Sequence, residues 1–539
     1  MKFTKLKKSL DPYLLVIILL AGVFFLIYSW LPYTTTSLGE QQLIFNSPDE
    51  TANFWSSQHF YATGSLSQFS EASLWGEDIV KPRSFRIINN YLVPVGFLGM
   101  PWLYGSIASL VDSPAIIIYL TPLFAVLGII FLYLLFKNIW GKRVACLSSL
   151  LGLVVPGYWY YASKSMMPNV LFLSLLIIGL YFFSQAIRRK YLLNYLLTGL
   201  VIGLALLVRP AEIIWVAPLL ILASLYLYKQ VNWTYIWLVP ILGAASFLPM
   251  LYYNIILFGR SLDIGYQIQF TSTASALGIF KYLLPFGFDL SVIRYNVVNY
   301  LYNLFTPQAW LIIGGLILYI IFSWRAKGRS RQNNFAYLLL VIILSLILVT
   351  YYGSWQFSDN PNPRLITIGT SFVRYWLPLY FLSLPLVAYG LTAVFKRSCL
   401  AWILVSVAVF GVSLGIAGSQ VYQDKQEGLT AVVRNLEIYQ HSADLVLSQV
   451  ESKAIIITKK QDKVFFPART VIYDLFYDVD YARVRNLLSQ YPVYFWDFRQ
   501  EPDRLADINF NNYQPRHLIL VPTDLVYNNM QLYKVNDYQ

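Results

Sequence analysis

Cysteine and histidine are nearly absent: the 539 residues hold two cysteines and three histidines. Cys146 and Cys399 each fall near the start of an apolar run, just after basic residues. That places both near the cytoplasmic face and predicts no disulfide. The segments on the opposite face then carry no cysteine, so compartment does not follow from disulfides. His59, His441 and His517 are too scattered for a metal or proton-relay motif. Charge is also scarce: Asp, Glu, Lys and Arg make up 12% of the chain, against 57% hydrophobic residues. With a mean hydropathy of +0.54, so much apolar surface excludes a soluble protein of this length.

What is present is a series of apolar runs of spanning length. They cover Tyr13–Leu31, Ala115–Phe136, Val144–Tyr161, Val170–Ile187, Leu192–Val208, Ile213–Tyr228, Trp233–Phe258, Trp310–Trp324, Tyr337–Tyr352, Tyr375–Phe395 and Leu400–Gly418, about eleven by hydropathy. The first follows Lys2, Lys5, Lys7 and Lys8. It is long enough to span and no small-residue cleavage site follows, so it reads as a signal anchor. Tyr91–Val111 is interrupted by Pro94, Gly96, Gly99, Pro101 and Gly105, which weaken a straight helix. If it does not cross, the basic clusters at Lys137/Lys142/Arg143, Arg188–Lys190, Lys229, Arg325–Arg331 and Lys396-Arg397 all share the side of the basic N-terminus, as the positive-inside rule requires. It therefore reads as juxtamembrane or re-entrant. The net charge of +13 is largely accounted for by these loops, and no nucleic-acid partner is implied.

The predicted fold is mainly α, a polytopic membrane protein with a cytoplasmic N-terminus and a small α/β domain at an extracytoplasmic C-terminus. Residues 1–418 form the membrane module, with a first outer loop at 33–114 carrying juxtamembrane helices. Gly259–Ala309 and Tyr351–Arg374 are the other long outer segments. Residues 419–539 change character. Short apolar runs at Ala454–Thr458, Thr470–Tyr473, Val493–Trp496 and His517–Val521 alternate with a helical-looking Tyr481–Gln490, the pattern of an α/β domain. This tail shows no Gly-rich phosphate loop, metal spacing or nucleophile motif.

Two adjacent carboxylates, Asp49 and Glu50, stand in the first outer loop. Pro48 suits the first turn of a helix, whose positive end favours both acids. A capped helix on the membrane explains them; so does a general base facing an acceptor. Cations gather at the same face: Lys81 and Arg83 in the first loop, Lys164, Arg209, Arg260, Lys281, Arg294 and Arg374. They suit a lipid phosphate, and equally phospholipid headgroups. Arg209 and Arg374 stand out, since each lies where an apolar span meets a loop and a charge costs most. Lys164 also suits a helix end, Asn169 reads as a helix N-cap, and the tryptophans fit an interfacial belt.

Several stretches together resemble the GT-C superfamily of polyprenyl-phosphate-sugar-dependent glycosyltransferases, in particular the bacterial protein-mannosyltransferase and aminoarabinose-transferase group. They are Asp49-Glu50 after the first span; Lys81-Pro82-Arg83 before a Pro/Gly-rich stretch; the Gly-rich span Gly199–Val208 ending in Arg209-Pro210; Tyr253-Asn254 with Phe258-Gly259; and Gly369 through Arg374-Tyr375-Trp376-Leu377-Pro378. The resemblance covers residues 1–418. The chain departs from many relatives at Met167-Pro168-Asn169, where they carry a second acid.

The resemblance implies an inverting transfer from a polyprenyl-phosphate-linked sugar to a hydroxyl or amine of a protein, lipid or glycan acceptor. Asp49 would be the base and Glu50 would orient the acceptor or pair with a cation. Arg209, Arg374, Lys164, Lys81 and Arg260 would meet the substrate phosphate, and Tyr375 and Asn169 would line the acceptor side. No cofactor is implied, and a divalent metal is left without a ligand set. The implied location is the cytoplasmic membrane, in contact with its lipids, with the active site outside. Competing readings are a transporter or flippase of lipid-linked sugars, a polysaccharide polymerase or ligase, and a scaffold presenting the tail.

Overall fold

A computed structural model describes residues 11–38, 42–259, 284, 287–355, 365–474 and 480–538. Each apolar run of spanning length read from the sequence is mostly helical. Among the described residues, eight helices are long and apolar enough to cross a membrane, from Pro12–Leu38 to Cys399–Gln423. Two bent pairs bring the count to ten when each is taken as one span: Lys142–Leu153 with Pro156–Lys164, bent by 55°, and Leu192–Val208 with Pro210–Tyr226, bent by 119°. The difference from eleven lies in that second pair, whose arms the sequence counts separately. Pro210 breaks the helix because it offers no N–H and excludes the helical conformation from the residue before it. The protein is thus a mainly α, multi-pass membrane protein with a small C-terminal α/β fold. The Tyr91–Val111 segment does not form a spanning helix: it is a strand, Tyr91–Pro94, followed by a helix of 13 residues, Gly99–Val111.

The chain divides into two compact units. The first comprises Met1–Trp30, Leu120–Leu248 and Ser275–Ala431. Its packing uses small residues where helices touch. In the Gly-rich span, a Cβ on Gly203 would lie 2.9 Å from the Cα of Gly243 and 2.5 Å from Ser246 Oγ. Glycine there lets the helix Leu238–Ala245 approach backbone to backbone. Two buried tyrosines of this unit find backbone partners: the Tyr28 hydroxyl donates to the Leu153 carbonyl at 2.6 Å, and Tyr158 donates to the Ala125 carbonyl at 2.9 Å.

The second unit comprises Leu31–Tyr119, Pro249–Ala274 and Val432–Gln539. The tail strands form a five-stranded sheet in the order Thr470–Tyr473, Ile455–Thr458, Val493–Phe498, Met530–Asp537, Leu518–Tyr527. The first three are parallel and the last two join antiparallel. The hairpin turn uses Asn528 and Asn529, both at positive φ (48° and 62°), a conformation that asparagine tolerates and that matches strand twist. Asn89-Asn90 (51° and 66°) repeats the device between Phe85–Ile88 and Tyr91–Pro94. Residues of the first long loop enter the core of the tail: Ala72 and Val80 pack with Ile455, Ile457, Leu487 and Phe495. The loop and the tail therefore fold together.

Candidate functional site

Asp49 lies in the first turn of the helix Pro48–Thr63. The chain starts this helix with a capping box: Asp49 N donates to Ser47 Oγ at 3.3 Å, and Ser47 N donates to Glu50 Oε2 at 3.0 Å. This satisfies N–H groups that the first helical turn leaves unpaired. Glu50 is buried, 2% exposed, and capping accounts for one of its oxygens. Asp49 is half-buried, and the Ser84 hydroxyl donates to its Oδ1 at 2.6 Å. Ser84 sits at φ 65°, in the left-handed region. Beside this point Trp55 stacks on His59 (4.9 Å, 4°) and meets Phe85 and Phe466 edge-on or tilted at 5.3 and 5.7 Å. The helix is set by a close approach to Gly99–Val111: a Cβ on Gly105 would lie 2.7 Å from the Ser57 carbonyl oxygen.

The other first-loop candidates are also in this second unit. Burial pushes the Lys81 ammonium below its ordinary range; Asp78 opposes this and Arg86 adds to it. Arg83 is engaged by the tail: its backbone N, Nε and Nη2 all donate to the Asp462 carboxylate, at 2.8, 2.9 and 2.6 Å.

The two arginines at span ends share a neighbour within the first unit. The guanidinium carbon of Arg209 lies 4.8 Å from the centroid of the Tyr375 ring, and that of Arg374 lies 5.3 Å from the same ring. Tyr375 stacks on Tyr352 at 4.7 Å and on Trp355 at 6.3 Å. Residues far apart in sequence thus meet around one aromatic stack. Their partners differ. Arg209 is buried, and its Nε and Nη2 both reach Glu212 Oε1 at 2.8 Å. Glu212 also accepts from Tyr352 Oη at 2.8 Å and from Trp215 Nε1 at 2.5 Å. Arg374 is half-buried; it donates to Ser371 Oγ and to Met167 Sδ, each at 2.8 Å. Asn169 joins this group by donating to the Arg374 carbonyl at 3.3 Å. It is not the N-cap of its helix, since Met167 holds that position and Pro168 opens Pro168–Arg189. Lys164 ends the helix Pro156–Lys164, buried, with its ammonium 5.7 Å from the Tyr160 ring centroid. Arg260 and Lys281 lie outside the described residues. Among the described residues, no group of three or more His, Cys, Asp or Glu side chains is placed to hold a metal ion.

Sequence reasoning missed Ser84, Asp462 and the saturation of Glu212. Glu212 carried a signal, standing three residues after an arginine at a helix end. Ser84 and Asp462 carried none, because their roles depend on contacts 35 and 379 residues away in sequence.

The fold is of the GT-C type. Residues 96–253 match the family described as dolichyl-phosphate-mannose-protein mannosyltransferase. No curated protein sequence matches the chain. Among solved structures, the apo oligosaccharyltransferase of Archaeoglobus fulgidus is similar, with TM-score 0.51 and 13% identity, covering 90% of this chain and 70% of that one. A second structure, oligosaccharyltransferase AglB of the same organism in complex with an inhibitory peptide and a dolichol-phosphate, gives TM-score 0.50 and 13% identity, over 90% and 69% of the two chains. The family match and the fold support the GT-C resemblance read from the sequence.

Proposed function

We propose that the protein transfers a sugar from a polyprenyl-phosphate-linked donor to an acceptor hydroxyl or amine, with inversion at the anomeric carbon. The observation that carries this reading is the Asp49 carboxylate, held at a helix N-terminus by a capping box and oriented through one oxygen by Ser84. Asp49 takes the proton from the acceptor as the acceptor oxygen or nitrogen attacks the anomeric carbon. The bond from that carbon to the phosphate oxygen breaks, and polyprenyl phosphate leaves with its charge. A phosphate is already a good leaving group, so charge stabilisation matters more than protonation. Arg374 is the foremost candidate for that role, because its fork fits phosphate oxygens. Arg209 is partly neutralised by Glu212 and acts chiefly by holding the Tyr375 stack.

The matched family name and the dolichol-phosphate and peptide held by a protein of similar fold support a lipid-phosphate donor, and in general terms a protein acceptor. Lipid and glycan acceptors belong to the same chemistry. The distribution of the basic loops supports a reaction at the outer face of the cytoplasmic membrane. The test is reconstitution of the purified protein in lipid with a polyprenyl-phosphate sugar. Release of polyprenyl phosphate coupled to labelling of an acceptor is expected. Movement of the intact lipid-linked sugar across the bilayer without release would instead identify a flippase. Deleting the gene should shift the mass of a cell-envelope glycan or glycoprotein, which names the product.

A further inference from the structure

The tail is joined to the first loop at the two places that flank Asp49. On one side, Lys463 Nζ donates to the Asn46 carbonyl, and Gln42 Nε2 donates to the Val464 carbonyl at 2.7 Å. Asn46 immediately precedes Ser47, the N-cap whose hydroxyl accepts from Asp49 N. On the other side, Asp462 takes three donors from Arg83, one of them the backbone N–H, and Arg83 Nη2 also reaches the Lys460 carbonyl at 2.6 Å. Arg83 immediately precedes Ser84, whose hydroxyl holds Asp49 Oδ1.

Two features separate this from an ordinary ion pair between segments. Asp462 is fully buried, at 0% exposure, and spends one oxygen on the Arg83 backbone, so it fixes the course of the chain as well as a side chain. The next residue, Ser84, has a left-handed backbone, a conformation unfavourable for a residue with a side chain. Such a conformation persists where the surroundings over-determine it, and it gathers at functional sites. On the far side of Ser84, its carbonyl accepts from Val95 N at 2.9 Å. Ser84 is therefore gripped from both directions, with its hydroxyl aimed at Asp49.

We infer that Asp462 is a positioning residue: acting through Arg83 and Ser84, the C-terminal domain sets the orientation of the Asp49 carboxylate. This gives the tail a task in the reaction although it carries no catalytic motif of its own. The inference rests on the proposed base role of Asp49, and its test separates the two.

The test compares Asp462→Asn, Ser84→Ala, their double variant and Asp49→Asn in the full-length protein reconstituted in lipid, with a polyprenyl-phosphate sugar as donor. Asp462→Asn keeps the shape and removes the charge. It and Ser84→Ala should each lower kcat about tenfold, the scale of losing a hydrogen bond to a charged group. Donor KM should be unchanged. The double variant should be no worse than the poorer single, because both changes break one chain of contacts. Arg83→Lys, which keeps the backbone bond and one charge contact, should lose less of the rate than Asp462→Asn. It also carries the test, with Ser84→Ala, should Asp462→Asn fail to fold. Wild-type kcat in Asp462→Asn while Asp49→Asn is inactive would overturn the positioning role and leave the base role standing. Independent, multiplying losses in the double variant would overturn it equally. An active Asp49→Asn would remove the base role and this inference with it.

Discussion

Glu212 is the residue whose alteration should most disturb the arginine–tyrosine stack. Its carboxylate lies 2% exposed and receives donors from Arg209, Tyr352 and Trp215 at 2.5–2.8 Å. Glu212→Gln keeps the shape, removes the charge and turns one acceptor into a donor facing these donors. The Arg209 guanidinium, itself 5% exposed, is then left with an uncompensated charge. Breaking one side of a buried ion pair costs about 3–5 kcal/mol, whereas replacing both partners with residues of similar volume is often nearly neutral. Glu212→Gln should melt well below the wild type, and the double variant Arg209→Met/Glu212→Gln should recover much of the loss. The assay is thermal denaturation of the detergent-purified protein, reading the order of midpoints across wild type, both single variants and the double. A Glu212→Gln protein that melts with the wild type would refute the idea of a stack held by this pair. So would a double variant that melts below both singles.

Three further expectations follow from the same geometry. Arg374→Lys supplies charge without the guanidinium fork, so donor affinity should fall only partly, whereas Arg374→Ala should reduce it severely; titration with the lipid-linked donor distinguishes these. Gly105→Ala puts a methyl group 2.7 Å from the Ser57 carbonyl oxygen and should destabilise by about 1–3 kcal/mol as an overpacked contact, visible as a lowered melting midpoint. A reporter fused after Gly418 should be active only outside the cytoplasm, and activity of a cytoplasm-only reporter there would reverse the orientation read from the basic loops.

The membrane part of the fold was legible because spanning helices have one requirement, length in apolar residues, and the sequence displays it directly. The tail was legible for a related reason. Its buried strands are apolar runs of four to six residues, and Ile455–Thr458, Thr470–Tyr473 and Val493–Phe498 fall where such runs predict them. The strand Met530–Asp537 was missed: it carries Gln531, Lys534 and Asn536, and its pattern reads as strand only beside its partners. Asp49 and Glu50 could be singled out by their rarity, but their division of labour could not. Only the capping geometry assigns Glu50 to Ser47 and leaves Asp49 facing Ser84. The pairing of Arg209 and Arg374 around Tyr375 was foreshadowed by where each sits at the end of a span. The link from Asp462 through Arg83 to Ser84 was beyond reach: Arg83 could be singled out, but its partner stands 379 residues away and no local pattern marks Asp462.

The central claim is that Asp49 accepts the proton of the acceptor, and the most direct measurement is turnover by Asp49→Asn under saturating lipid-linked donor. Asparagine keeps the size of the side chain and can still accept from Ser84, so the fold and donor binding should survive while basicity is gone. Transfer should fall by about 10²–10⁴, the range for removal of a general base, with Glu50→Gln much less affected because an amide oxygen can still accept from Ser47 N. Near-normal turnover by Asp49→Asn would contradict the account.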